Sequence, residues 1–172
     1  MKGQSEQDAR YGEAVAAFGG ALQRLARATE ADPERRRDLL QDMHVALWRS
    51  FATYDGRCAM RTWTYRVAHN VAATHVDKER RVVRGTLSLE DVEHLADARD
   101  LGAAVEASDD IERLNALIRQ LKAEDRQIIT LYLEGFDAAA IGDVTGLSAA
   151  TVATRVSRAK AQLNRLFKGG AR

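Results

Sequence analysis

The 172-residue chain has a single cysteine, Cys58, and a single proline, Pro33. One thiol excludes an internal disulfide framework and fits a reducing compartment. With so little proline and only short β-branched runs, helices meet few interruptions, and Ala, Leu, Arg, Glu and Gln favour them throughout. No apolar stretch approaches the ~18 residues of a spanning helix. Residues Met1–Asp8 lack the apolar core of a signal peptide, so the expectation is a cytoplasmic protein without membrane insertion. Histidine is scarce too: His44, His69, His75 and His94 show no metal-ligand spacing with one another or with Cys58. Neither a glycine-rich phosphate loop nor a nucleophile elbow is present. Catalysis, a metal and a cofactor are all unexpected.

Hydrophobic residues make up 45% of the chain, enough for one ordinary domain or two small ones. The formal net charge of +1 conceals strong segregation. Arg35 to Arg84 carries 11 Lys/Arg against 5 Asp/Glu, Ser88 to Glu112 carries 9 Asp/Glu and one Arg, and Ala149 to Arg172 carries 6 Lys/Arg and no acid. Two basic surfaces suit a polyanion, because neutralising phosphates releases counterions. The acidic stretch between them cannot share that task; solvated helix faces are the plainer alternative.

Hydrophobic spacing predicts a helix from about Tyr11 to Ala28, with Val15, Phe18, Leu22 and Leu25 on one stripe. A second helix is expected behind an Asp32 cap, with Pro33 in its first turn, running to about Phe51. Leu39, Leu40, Met43 and Leu47 fall on one side of it; Asp38, Gln41, Asp42 and Arg49 gather on the other. After a turn at Tyr54-Asp55-Gly56-Arg57, a third helix is predicted from about Arg61 to Arg80. Trp63, Val67 and Val71 share its apolar face, beside a polar arc of Thr62, Arg66, His69, Asn70 and Asp77. Arg81 to about Glu112 has weak periodicity and reads as a linker with room for a short helix. Two further helices are expected around Leu114–Leu121 and Ile128–Leu133, the second ended by Gly135.

The last unit is the clearest. A short helix from Ala138 to Val144, the turn Thr145-Gly146-Leu147-Ser148 and a longer helix capped by Ser148 make the helix-turn-helix pattern. Opposite the Val152/Val156/Leu163 stripe lie Ala150, Thr154, Ser157 and Arg158, flanked by Thr151 and Arg155. Those side chains are candidates for major-groove contact, and the helix N-terminus behind Ser148 offers N–H groups to a phosphate. Surface residues of an ordinary helical bundle would look similar. In the first half, Arg57, Arg61, Arg66, Asn70, Lys78, Arg80 and Arg81 combine cations and an amide with nearby Trp63 and Tyr65. That mixture suits single-stranded nucleic acid, although Trp63 itself fits core packing better. Cys58 reads as a loop residue in a serine's place rather than as a redox switch.

Both halves resemble the extracytoplasmic-function group of bacterial RNA polymerase sigma factors. The first match runs through Asp38-Leu39-Leu40-Gln41-Asp42-Met43-His44-Val45-Ala46-Leu47-Trp48-Arg49 and Arg61-Thr62-Trp63-Thr64-Tyr65-Arg66-Val67-Ala68-His69-Asn70. The second runs through Ile141-Gly142, Gly146-Leu147-Ser148 and Thr151-Val152-Ala153-Thr154-Arg155-Val156-Ser157-Arg158. The resemblance implies an all-α fold of two small helical domains. Residues 8–84 would bind polymerase and the −10 element, 85–111 would form an acidic linker, and 112–168 would read the −35 element. It assigns core polymerase binding, through the β′ and β subunits, to Asp38, Leu39, Gln41, Asp42, Val45, Trp48 and Arg49. It assigns melted −10 DNA to Gly56, Arg57, Cys58, Ala59, Met60, Thr62, Arg66, Asn70, Lys78, Arg80 and Arg81. Duplex −35 DNA falls to Ser148, Ala150, Thr151, Thr154, Arg155, Ser157 and Arg158. The linker would thread the polymerase's exit channel, and an anti-sigma factor or other regulator is an expected partner.

Some positions depart from the family pattern. Cys58, Ala59 and Met60 stand where two serines and a phenylalanine are usual, so base choice at the nearer element is open. Ala153 replaces a common cation and Ser157 a larger residue, which predicts weak or unusual binding at the distal element. The competing reading is a dimeric helix-turn-helix regulator of duplex DNA. A third is a module whose acidic segment and helix faces bind another protein.

Overall fold

Seven helices and no strand are present among the described residues, 2–86 and 106–169 of the computed structural model. The first three are α1 (Lys2–Thr29), α2 (Pro33–Ser50) and α3 (Met60–Thr86). The second half holds α4 (Glu106–Arg119), α5 (Ala123–Leu133), α6 (Ala138–Thr145) and α7 (Ala149–Gly169). Most of the expected linker, residues 87–105, lies outside the described residues. α1 starts well before Tyr11 and α3 continues past Arg80, both through polar sequence that carries no apolar stripe. None of the helices is long and apolar enough to cross a membrane.

Local chemistry sets the helix ends. The Asp32 carboxylate accepts from the N–H groups of Glu34 (3.0 Å) and Arg35 (2.9 Å), and Pro33 fills the first position of α2. α1 ends beside buried Glu30, where a carboxylate opposes the helix dipole. Burial pushes that carboxyl up, but a hydrogen bond to His75 (2.9 Å), the Asp32 N–H (2.9 Å) and Arg35 together hold it below its usual range. Glu79 closes the cluster through Arg35, so a guanidinium already sits against both carboxylates. The network fastens the ends of α1 and α2 to α3. Leu22, Leu25, Leu39, Met43, Leu47, Phe51, Ala68 and Ala72 fill the core of this bundle, with Trp63, Val67 and Val71 packed against it.

In the second half, Gly146 adopts φ +79 after α6, the left-handed conformation that turns the chain into α7. Gly142 is constrained differently. A Cβ there would lie 2.6 Å from the Leu147 carbonyl oxygen, a backbone atom that cannot step aside. Gly142→Ala is therefore expected to spread the turn and cost about 2 kcal/mol, a fall of roughly 4–8 °C in melting temperature. An unchanged melt would contradict this reading of the turn.

The halves are packed together. One buried cluster joins Ala21 of α1 and Tyr65 of α3 to Ile128, Leu131, Phe136, Ile141, Val144 and Val152. Another joins Ala28 to Ile118, Leu121, Ile129 and Ala159. Two of the three buried clusters thus include residues from both halves.

Candidate nucleic-acid interface

Three surfaces carry the predicted residues. On α2, Asp38, Gln41, Asp42, Val45 and Arg49 are exposed along one side. Leu39 is not: it is fully buried in the first bundle's core, so it supports this face from behind rather than forming part of it. Trp48 is half-buried because the start of α1 folds over it. Its indole N–H donates to Asp8 (2.7 Å), and its carbonyl accepts from the Gln7 side chain (2.7 Å). Neither α1 residue was legible as a contact, since both sit in a polar stretch. Tyr11 and His44 share a hydrogen bond (2.9 Å) beside Val45, and burial lowers the His44 pKa.

The second surface is the loop before α3 and that helix's outer side. Gly56 takes φ +77 at the loop's apex, where Asp55 accepts from the Arg57 N–H (3.0 Å). The Tyr54 hydroxyl donates to the Cys58 carbonyl (2.7 Å) and its ring lies 5.2 Å from Trp63, whose indole N–H donates to Ser50 (2.9 Å). Aromatic packing thus preforms the loop from Gly56 to Met60. Thr62, Arg66 and Asn70 follow at four-residue intervals on α3; Asn70 is exposed, as are Lys78, Arg80 and Arg81 farther along. His69 departs from the predicted polar arc. It is buried, stacked near Tyr65 with centroids 6.4 Å apart.

On α7, Ser148 accepts from the Thr151 N–H (3.2 Å), which sets the helix start. Ser148, Ala150, Thr151, Thr154, Ser157 and Arg158 form an exposed face, with Val152 and Ala159 buried behind it. Arg155 behaves otherwise. Its guanidinium turns back to Glu124 and Asp125 at the start of α5, so it is paired rather than presented outward.

Between the halves lies a polar seam that sequence reading did not anticipate. The Glu134 carboxylate accepts from Nε and Nη2 of Arg24 (2.6 and 2.7 Å) and from the Tyr65 hydroxyl (3.1 Å). Arg61 donates to the Glu134 carbonyl (2.9 Å) and covers the Phe136 ring at 3.8 Å, while Arg66 donates to the Asp143 carbonyl (2.6 Å). The Arg24 hydrogen bond holds the Glu134 carboxyl below its usual range despite burial. Burial, with the Glu134 charge, pushes the Tyr65 hydroxyl up to about 12.

His69 sits behind this seam, and burial lowers its pKa to about 4, only partly opposed by Glu134. The cavity beside it is lined by Leu25 and Thr29 from α1 and by Arg126, Gln127 and Thr130 from α5. A base whose pKa is lower in the packed state binds more protons when released. The packing is therefore fully stabilised above pH 6.5 and weakens as pH falls toward 4. At pH 5 the loss should be about 2 kcal/mol, at roughly 1.4 kcal/mol per pH unit. Glu30 and Glu134, whose carboxyls are held below the usual range, add no decline between pH 7.5 and 5. Melting measured from pH 7.5 to 5 should show the decline, and His69→Gln should reduce it to the smaller slope that His44, also lowered by burial, leaves. Equal slopes for both proteins would contradict the assignment.

With this geometry in place, relatives identify the class. Residues 14–82 match sigma-70 region 2, and residues 111–163 match sigma-70 region 4. The ECF RNA polymerase sigma factor SigM of Mycobacterium tuberculosis is 31% identical over 147 residues, covering 85% of this chain and 71% of that protein. The RNA polymerase sigma factor NccH of Alcaligenes xylosoxydans is 27% identical over 161 residues, covering 92% of this chain and 87% of that one. The sigma factor RpoE of Bartonella quintana, solved in complex with the anti-sigma factor NepR, superposes with a TM-score of 0.72 at 21% identity. That alignment covers 92% of this chain and 96% of the other, and at such identity it speaks for the fold. The chain belongs to the extracytoplasmic-function group of RNA polymerase sigma factors.

Proposed function

We propose that the chain is an alternative sigma factor that brings core RNA polymerase to particular promoters, opens the −10 element and reads the −35 element, without catalysis of its own. Residues 8–84 dock on polymerase through Asp38, Gln41, Asp42, Val45, Trp48 and Arg49. The same unit holds the melted strand with the 56–60 loop and Thr62, Arg66 and Asn70, while Lys78, Arg80 and Arg81 meet its backbone. Residues 112–168 read duplex with Ser148, Ala150, Thr151, Thr154, Ser157 and Arg158. Arg155 joins them after leaving Glu124 and Asp125. Residues 85–111 tether the two units. The observation that carries this reading is the exposed polar face of α2 next to a preformed loop and an exposed Asn70. A regulator of intact duplex alone has use for neither.

Extracting a base from its stack costs a few kcal/mol, and a loop already fixed by Tyr54 and Trp63 adds no ordering cost to that sum. A protein regulator fits as well, since the related RpoE was solved with an anti-sigma factor. Run-off transcription with purified core polymerase, from the region upstream of the chain's own gene, tests the reading. A discrete transcript dependent on this chain is expected. Duplex binding without any transcript would favour the simple regulator.

A further inference from the structure

The seam places acceptors of the helix-turn-helix half against cations of the half assigned to the melted strand. Arg24 and Tyr65 converge on the Glu134 carboxylate, and Arg61 reaches the same residue's carbonyl. Four residues farther along α3 from Thr62, Arg66 is spent on the Asp143 carbonyl. A carboxylate gripped by two nitrogens of a guanidinium has the geometry of a phosphate gripped the same way. The packed form also cannot span a promoter. Elements centred about 25 base pairs apart lie roughly 85 Å from each other at 3.4 Å per step. A compact chain of this length has a radius of gyration of only about 16 Å. Reading both elements requires the seam to part, which frees Arg24, Arg61 and Arg66 together.

We infer that Arg24, Arg61 and Tyr65 form a phosphate socket for the backbone of the single strand, and that Glu134 fills it as a stand-in while the halves are closed. Resting on the sigma-factor reading, the inference adds a binding site to it. Glu134 is thus a polar latch of a self-inhibited form, added to the apolar clusters that also join the halves: its departure favours opening and vacates the site. Arg24 serves both states, pairing with carboxylate when shut and phosphate when open.

The test uses the full chain with a mixed-sequence single-stranded DNA 20-mer, because backbone contacts do not depend on sequence. Glu134→Ala should raise the radius of gyration in solution scattering by several ångströms and tighten 20-mer binding about tenfold. The slope of log affinity against log salt should steepen by roughly 0.7 for each phosphate gained. Arg24→Ala should open the chain equally, yet gain one phosphate fewer. Glu134→Gln should behave as Glu134→Ala in milder form, which guards against a misfolded variant. Asp110→Ala removes an equal charge from an exposed site and should change neither readout.

An unchanged radius for Glu134→Ala, opening with no gain in binding, or an Arg24→Ala gain equal to that of Glu134→Ala would each overturn the inference. So would an Asp110→Ala gain of the same size. The sigma-factor reading fails separately. A wild-type chain that supports no transcription removes that reading, while the opening and salt slopes still decide the socket.

Discussion

Asp42→Arg is expected to weaken binding to core polymerase by roughly two orders of magnitude while the chain stays folded. Asp42 is exposed on α2, in line with Asp38, Gln41 and Val45, and takes no part in the first bundle's core. Removing one partner of a desolvated charge pair at an interface costs about 2–5 kcal/mol, and reversing its sign adds repulsion. Circular dichroism and melting should match the wild type. Immobilised core polymerase that captures both proteins with equal affinity would remove this face from the account.

Asn70→Ala should reduce promoter opening by roughly tenfold to a hundredfold, the loss of about 1–3 kcal/mol in base recognition. Binding to closed duplex should hardly move, because that step is assigned to the exposed face of α7 and not to α3. The exposed amide follows Thr62 and Arg66 at four-residue steps, which keeps the three on one side of the helix. Permanganate footprinting of melted thymines, set beside a gel-shift with intact duplex, separates the two steps. Equal losses in both would assign Asn70 to general affinity instead of strand capture.

Much of this was legible in the residues because it depends on short-range chemistry. Asp32 with Pro33 announces the start of α2, and Gly146 with Ser148 announces the turn into α7; the structure shows both caps in place. The exposed face of α7 follows from helical periodicity alone. Periodicity says which side of a helix is polar, but not what will come to rest on it. His69 lies on the polar arc of α3 and is buried because α5 packs there. Arg155 lies beside the exposed face of α7 and turns inward because two acids of α5 lie within reach. Leu39 belongs to a family string assigned to polymerase contact, yet the apolar stripe of α2 takes it into the core.

The seam was invisible for a related reason. Arg24 and Glu134 are 110 residues apart, and each in isolation is an ordinary surface charge. Phe136 follows a helix-ending glycine, where a loop aromatic gives no sign of its partner Tyr65 at 4.7 Å. The early start of α1 escaped notice likewise, because Gln7 and Asp8 are held by hydrogen bonds to Trp48 instead of by an apolar stripe.

The sigma-factor assignments all rest on the chain working while seated on polymerase. Size-exclusion chromatography of the wild-type chain with purified core polymerase tests that most directly. Co-elution in one-to-one ratio, lost in Asp42→Arg, is the predicted result. Separate elution of the two at micromolar concentration would contradict the account, however well the chain bound DNA.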